Sequence, residues 1–310
     1  MNPLLEIRNL SKKYKEVNAV DDLSFTVHEG DIYGFLGQNG AGKSTTIRML
    51  LTLVRPTSGE INIFGKNLFT HRHEILAQTG AIIEKPDVYK YLSAYDNLSI
   101  FAKMSGVKTG RKRIMEQLDM VGLAERSSSK VKTFSQGMKQ RLGIAIALVH
   151  DPKLIILDEP TNGLDPQGIA DMRNLILRLS KQMGKTVLVS SHLLSEIEVI
   201  ANRMIVIHKG KKIAEGGVAE MLNPSNTQVL IETTDNKGTW QKLQSTRWVA
   251  NGSLSDNSIR LTINKNEIPS LIQALTETGT GIISVQPKHS LEAYFLSLTN
   301  ADTHVEPFTN

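Results

Sequence analysis

The chain of 310 residues contains no cysteine. Disulfides, thiolate zinc sites and cysteine nucleophiles are thereby excluded, and the absence fits a reducing compartment. Aromatic residues are sparse at 5%. A surface that stacks successive bases is poorly supported, and no nucleic-acid partner is expected. No run approaches the ~18 apolar residues that a membrane-spanning helix needs. The opening MNPLLEIRNLSKKYK also lacks the apolar core of a secretory signal, so a cytoplasmic location is expected. What is present is ordinary for a globular protein: 40% hydrophobic and 22% charged residues, over a length that suits about two domains.

Charge divides the chain unevenly. Residues 1–224 carry 30 Lys and Arg against 23 Asp and Glu, whereas residues 225–310 carry 6 against 8. A basic first part suits either a plain solvated surface or a polyanionic ligand. The turn-rich stretch Asn223-Pro224-Ser225-Asn226 falls at the same place. It sets the expected boundary between a domain over 1–222 and a smaller one over 227–300, with a frayed tail over 301–310.

The first part alternates strand-like and helix-like segments, which predicts an α/β fold with a more helical insert over about 85–150. Leu4 to Leu10, Leu23 to Val27 and Asp31 to Leu36 read as strands. Leu154 to Leu157 and Thr186 to Ser190 are short continuous apolar runs, as expected of strands buried on both faces of a parallel sheet. Helical patterns run from Lys43 to Leu53, Ser135 to Val149 and Pro166 to Gln182. Beyond the break the predicted order is strand (Gln228 to Thr233), helix (Thr239 to Leu243), strand (Arg247 to Asn251), strand (Ser258 to Ile263), helix (Glu267 to Glu277) and strand (Gly281 to Val285). That βαββαβ order is the split arrangement of ferredoxin-like folds. A last amphipathic segment, Ser290 to Leu298, reads as a docked helix.

Gly37-Gln38-Asn39-Gly40-Ala41-Gly42-Lys43-Ser44 fits G-x-x-x-x-G-K-[ST], directly after a strand and opening a helix. Glycines let the backbone curl so that N–H groups face phosphate oxygens, and the helix N-terminus adds its positive end. Gly37, Asn39, Gly40, Gly42, Lys43, Ser44 and Thr45 are therefore candidate nucleotide-binding residues. Lys43 brings a point charge to the terminal phosphates, and the Ser44 hydroxyl is a ligand for magnesium. Leu154-Ile155-Ile156-Leu157-Asp158-Glu159 delivers two carboxylates to the carboxyl edge of the sheet, where ligands gather in open α/β folds. Asp158 would hold magnesium, and Glu159 would orient and deprotonate an attacking water.

With these elements in place, the chain resembles the nucleotide-binding subunits of ABC transporters over about residues 4–222. Phe134-Ser135-Gln136-Gly137-Met138-Lys139-Gln140-Arg141 is similar to the family signature LSGGQ, with Gln136 where a glycine is usual. The resemblance implies that ATP is the nucleotide, and that Ser135 and Gly137 serve the γ-phosphate held by an opposite subunit. It implies further that His192 contacts γ-phosphate, that Gly163-Leu164-Asp165 bridges two subunits, and that Tyr14 stacks on adenine. One cradle and one signature per chain imply a homodimer closing over two nucleotides, peripheral to the inner membrane face through a separate permease.

Where the family usually has a glutamine that senses magnesium and the permease, this chain has Glu84, within Thr79-Gly80-Ala81-Ile82-Ile83-Glu84-Lys85-Pro86. A glutamate there is similar to the bacitracin-resistance and lantibiotic-immunity branch. Its added charge beside a triphosphate calls for magnesium or a basic neighbour. Glu84, the S-x-G-M-K-Q signature and Ser290-Leu291-Glu292-Ala293-Tyr294-Phe295 resemble export rather than import ATPases. Soluble ABC ATPases of ribosomes or DNA are the alternative, as is an importer subunit. The interval of 115 positions from Lys43 to Asp158 carries no sustained heptad of the DNA-repair kind. Tyr89, Tyr91, Tyr95 and Phe101 crowd the stretch after Glu84. They suit either a permease interface or packing inside the helical insert.

Overall fold

In the computed structural model, residues 2–108, 110–221, 227–244, 246–255 and 258–288 are described. A hairpin opens the chain: β1 (Pro3–Tyr14) pairs antiparallel with β2 (Val17–His28). Register shifts along β1 carry the pairing past Leu10, where the apolar alternation ends. β3 (Ile32–Gly37) leads into α1 (Lys43–Leu50). β4 (Ser58–Ile63) and β5 (Lys66–Asn67) complete a four-stranded antiparallel sheet of order β2-β1-β4-β5. α2 (Arg72–Leu76) then precedes β6 (Thr79–Ile82).

Three helices follow: α3 (Ala94–Met104), α4 (Arg111–Met120) and α5 (Gln136–Ala147). Ser93 and Asp96 form a capping box that starts α3, and the Ser135 hydroxyl accepts the Met138 N–H to start α5. α5 packs on both α3 and β6. Gly143 lets α5 approach the segment after β6, since a Cβ there would stand 2.5 Å from Pro86 Cγ.

β7 (Leu154–Asp158), α6 (Pro166–Lys181), β8 (Thr186–Ser191), α7 (Leu194–Ile200), β9 (Arg203–His208) and β10 (Lys211–Gly217) finish the main sheet, whose order is β10-β9-β3-β8-β7-β6. β9, β3, β8, β7 and β6 run parallel, and β10 closes one edge antiparallel. Every residue of β3, β7 and β8 is buried, as continuous apolar runs require of a sheet covered on both faces. Phe25 and Tyr33 stack in the core at 5.5 Å between ring centres. The Tyr33 hydroxyl donates to Glu215 at 2.8 Å, and burial together with that carboxylate pushes the phenol pKa well up.

The chain divides into two compact units between Val218 and Ala219, within the short helix α8 (Val218–Met221). The stretch Asn223 to Asn226 lies outside the described residues, as do the Ser290 to Leu298 segment and the tail. In the second unit come β11 (Thr227–Thr233), α9 (Asn236–Leu243), β12 (Gly252–Ser255), β13 (Ser258–Ile263), α10 (Ile268–Glu277) and β14 (Ile282–Lys288). Its sheet has the order β12-β13-β11-β14, antiparallel throughout. Val229, Ile231, Ile259, Leu261, Leu271 and Leu275 form the core of this unit.

One expected element is corrected. Arg247–Asn251 is a 3-10 helix rather than a strand, and β12 begins only at Gly252. Thr246 accepts the Trp248 N–H, and the Trp248 side chain is buried in the core of the unit. That anchor overrides the β propensity of Trp248 and Val249.

Candidate active site

Three parallel strands end side by side at one sheet edge. Leu36 pairs with Ser191, and Asp158 with Ser190, so the carboxyl ends of β3, β7 and β8 open together. The loop after β3 turns into α1 with Gly40 at φ 82° and Gly42 at φ 105°. Gly42 is doubly constrained, because a Cβ there would also stand 2.5 Å from the Ala19 carbonyl oxygen. Lys43 is 4% exposed and donates to the carbonyls of Gly37 at 2.6 Å and Gln38 at 3.2 Å. Its Nζ also lies 3.2 Å from Glu159 Oε1. The ammonium is thus a fixed charge shared between cradle and carboxylate.

Asp158 and Glu159 are held by one serine. Ser190 Oγ donates to Asp158 Oδ1 at 2.6 Å and accepts the Glu159 N–H at 2.9 Å. Glu159 has φ 48°, a left-handed conformation that is sparsely populated away from glycine and costs about 1–3 kcal/mol. The Ser190 bond and the Asn162 N–H, which donates to the Glu159 carbonyl at 3.1 Å, fix it there. His192 Nδ1 lies 2.8 Å from Glu159 Oε2. An ionised carboxylate only accepts, so His192 donates from Nδ1 and keeps Nε2 for a second contact.

A cleft of about 850 Å³ is lined by Asn39, Ser44, Glu84, Asp158 and Glu159, with Gln136 and Gln140 of α5 and Asn162 and Gly163 of the loop after β7. Asp158 Oδ2 is buried with no hydrogen-bond partner. An orphan carboxylate oxygen, a hydroxyl and a second carboxylate make an oxygen-donor set that fits a hard divalent cation. Among the described residues no group of three or more His, Cys, Asp or Glu is arranged to hold a metal by itself. Ligand oxygens would therefore complete the coordination, as phosphates do for magnesium.

Glu84 follows β6 with φ 58° and accepts from Arg48 Nη2 at 2.7 Å. Arg48, on α1, is the basic neighbour that the extra charge calls for. Thr45 sits on α1 beside Ser44 and is half-buried. Of the expected residues, Asn39, Ser44, Glu84, Asp158 and Glu159 line this cleft; Ser135, Gly137, Asp165 and Tyr14 lie apart from it and from the Lys43–Glu159–His192 contacts. Ser135 is exposed with its hydroxyl capping α5, Gly137 is half-buried on the same helix, and Asp165 is exposed and caps α6. Tyr14 is 44% exposed near the end of the β1–β2 hairpin, with Lys12 Nζ 4.8 Å from its ring centre. Arg48, Ser190, Ser191, Thr161 and Glu196 escape a reading of motifs, for each is recruited from outside the motif stretches or by contacts across the fold.

The family profile described as ABC transporter matches residues 20–162. The bacitracin transport ATP-binding protein BcrA of Bacillus licheniformis is 41% identical over 305 residues, covering 98% of this chain and 99% of the relative. The chain belongs to the ABC transporter ATP-binding family. Within that family it is also similar to the lantibiotic transport ATP-binding protein SrtF of Streptococcus pyogenes, 44% identical over 74% of this chain and 99% of that protein. Among solved structures, an ATP-binding subunit of an ABC transporter superposes with TM-score 0.63 at 33% identity, covering 70% of this chain and 91% of that one. A dimeric ATP-binding cassette in a post-hydrolysis state with ADP and Pi superposes with TM-score 0.63 at 26% identity, over 69% of this chain and 99% of that one. The ABC ATPase fold thus accounts for the first unit, and among the described residues no helix is long and apolar enough to cross a membrane.

Proposed function

We propose that this chain is the ATP-hydrolysing subunit that drives a separate membrane permease exporting an antibiotic, peptide, lipid or other small compound. The observation that carries the reading is the convergence of Lys43, Asp158, Glu159 and His192 at one sheet edge, beside a cleft lined by Asp158, Glu159, Ser44 and Glu84. Glu159 is the general base for water, with His192 fixing one carboxylate oxygen and Lys43 near the other. Gly37, Asn39, Gly40, Gly42, Lys43 and Thr45 cradle the phosphates. Ser44, Asp158 and Glu84 would hold magnesium, which on binding neutralises charge on the phosphates.

Ser135 and Asp165 are exposed at the starts of α5 and α6, with Gly137 beside Ser135, which supports their use toward a second copy. The functional unit is accordingly a homodimer closing over two nucleotides, peripheral at the cytoplasmic membrane face through the permease. Tyr14 is exposed enough to receive adenine against its ring. Names of relatives that transport bacitracin or a lantibiotic support an exported antibiotic or peptide as cargo. The domain expected over 227–300 is read as a ferredoxin-like accessory domain, supported by the βαββαβ order and the strand order β12-β13-β11-β14 of the second unit.

The test separates binding from turnover. Glu159→Gln should bind ATP and shift to a dimer on size exclusion while hydrolysis stops. Lys43→Ala should neither bind nor dimerise. A Glu159→Gln protein that turns over ATP at the wild-type rate would overturn the assignment.

A further inference from the structure

Two loops that carry the chemistry share one buried carboxylate oxygen. Thr161 Oγ1 donates to Glu196 Oε2 at 2.6 Å, and Ser191 Oγ donates to the same oxygen at 2.9 Å. Ser191 Oγ in turn accepts the Leu193 N–H at 3.0 Å. Thr161, Glu196 and Ser191 are all buried. Successive side chains of β8 point to opposite faces, so Ser190 reaches Asp158 and Glu159 while Ser191 reaches Glu196 on α7.

The consequence is geometric. His192 lies between Ser191 and Leu193, which are tied to each other, and Ser191 is tied to Glu196. Thr161 stands between Glu159 and the Gly163 to Asp165 loop, and its own carbonyl accepts the Leu164 N–H at 3.2 Å. One carboxylate oxygen therefore anchors both the strand end that presents His192 and the segment that leads from Glu159 into that loop. Burying a carboxylate carries a desolvation cost that an apolar side chain avoids, so its presence points to positioning rather than to stability.

We infer that Glu196 is a positioning residue that couples the Gly163 to Asp165 loop to His192. Displacement of the loop by a second copy would then reach the contact between His192 and Glu159. The inference rests on the proposed reading of that loop as facing the second copy, and of Glu159 as the base. Glu196 touches no substrate atom and acts through Thr161 and Ser191.

The experiment compares steady-state hydrolysis, binding of a fluorescent ATP analogue and thermal melts in Glu196→Ala, Glu196→Gln and Thr161→Val. Glutamine keeps a carbonyl oxygen that can accept both hydroxyl bonds, whereas alanine leaves both hydroxyls without that acceptor. Glu196→Ala should lower kcat by roughly ten- to a hundredfold, as small misplacements of a catalytic pair do, with the analogue Kd within about twofold of wild type. Glu196→Gln should return kcat to within about threefold of wild type, and Thr161→Val should lower kcat alone but add nothing in the Glu196→Ala background. Wild-type kcat in Glu196→Ala overturns the inference, as does a loss of activity that merely tracks a loss of melting temperature and analogue binding. Should Glu196→Ala fail to fold, an unchanged kcat in Thr161→Val overturns it equally. A wild-type chain without ATPase activity would strike down the parent reading too, and is thereby distinguished from a silent Glu196→Ala.

Discussion

The Glu84 carboxylate and the Arg48 guanidinium are paired at 2.7 Å, with 64% and 43% of their side chains exposed. An exposed pair of this kind is worth about 0–1 kcal/mol, weak enough for a cation to take the carboxylate from its partner. Were Glu84 to hold magnesium as proposed, Arg48 would compete with the metal for it and neutralise it when the metal is scarce. Arg48→Gln should lower the magnesium concentration at the midpoint of ATP binding, by up to about fivefold for a pair of that strength. Glu84→Gln should make Arg48 irrelevant to the midpoint. Fluorescent nucleotide titrations at graded magnesium decide the matter, and an unshifted midpoint in Arg48→Gln would exclude competition.

In the proposed mechanism His192 acts through Glu159. Removing the imidazole frees Glu159 Oε2, which His192 Nδ1 approaches at 2.8 Å, and leaves Lys43 near the other oxygen. The proposed base, Glu159, then loses its fixed orientation. His192→Ala should reduce kcat on the order of a hundredfold while ATP affinity stays within about twofold, because the cradle is untouched. Single-turnover hydrolysis alongside nucleotide binding measures both quantities. A parallel loss of affinity would place His192 in binding instead.

Ser190 holds both Asp158, at the end of β7, and Glu159, just after it, and it offers a test of stability as well as rate. Ser190→Ala leaves Asp158 Oδ1 and the Glu159 N–H without their partner inside a buried strand pair. Such unpaired groups cost about 1–3 kcal/mol each at most, and the left-handed Glu159 loses one of its supports. Urea unfolding should show a lower midpoint at unchanged slope, and kcat should fall with it. A variant as stable and as active as wild type would mean that water replaces the hydroxyl.

The cradle and the paired carboxylates are legible because their signals are local: a glycine spacing between strand and helix, and an apolar run ending in Asp158-Glu159. Ser190 is not legible in the same way. It meets Asp158 only because β7 and β8 pair in that register, across the whole of α6. Glu196 and Thr161 are joined by the same kind of crossing, and Arg48 reaches Glu84 from α1. The 3-10 turn at Arg247–Asn251 shows the converse failure, in which strand-forming residues are captured by the burial of Trp248. Local pattern thus locates the proposed reacting groups, while the groups that hold them in place come from strand pairing and packing.

Exposure separates two expected roles for the rings after Glu84. Tyr89 and Tyr91 are 51% and 77% exposed, whereas Tyr95 and Phe101 are half-buried. The backbone of Tyr89 is nevertheless fixed: buried Asn97 accepts its N–H at 2.8 Å and donates to its carbonyl at 3.0 Å. A rigid loop that presents large amphipathic rings to solvent is what a docking surface needs, since little ordering entropy remains to be lost on binding. The proposed partner there is the permease. Replacing Tyr89 and Tyr91 with Ser should shift the melting temperature by no more than about 2 °C, the scale of exposed substitutions in a unit of this size. The same variant should keep ATP binding and lose co-flotation with permease-bearing membranes. A destabilised variant that still floats with the permease would return these rings to the core.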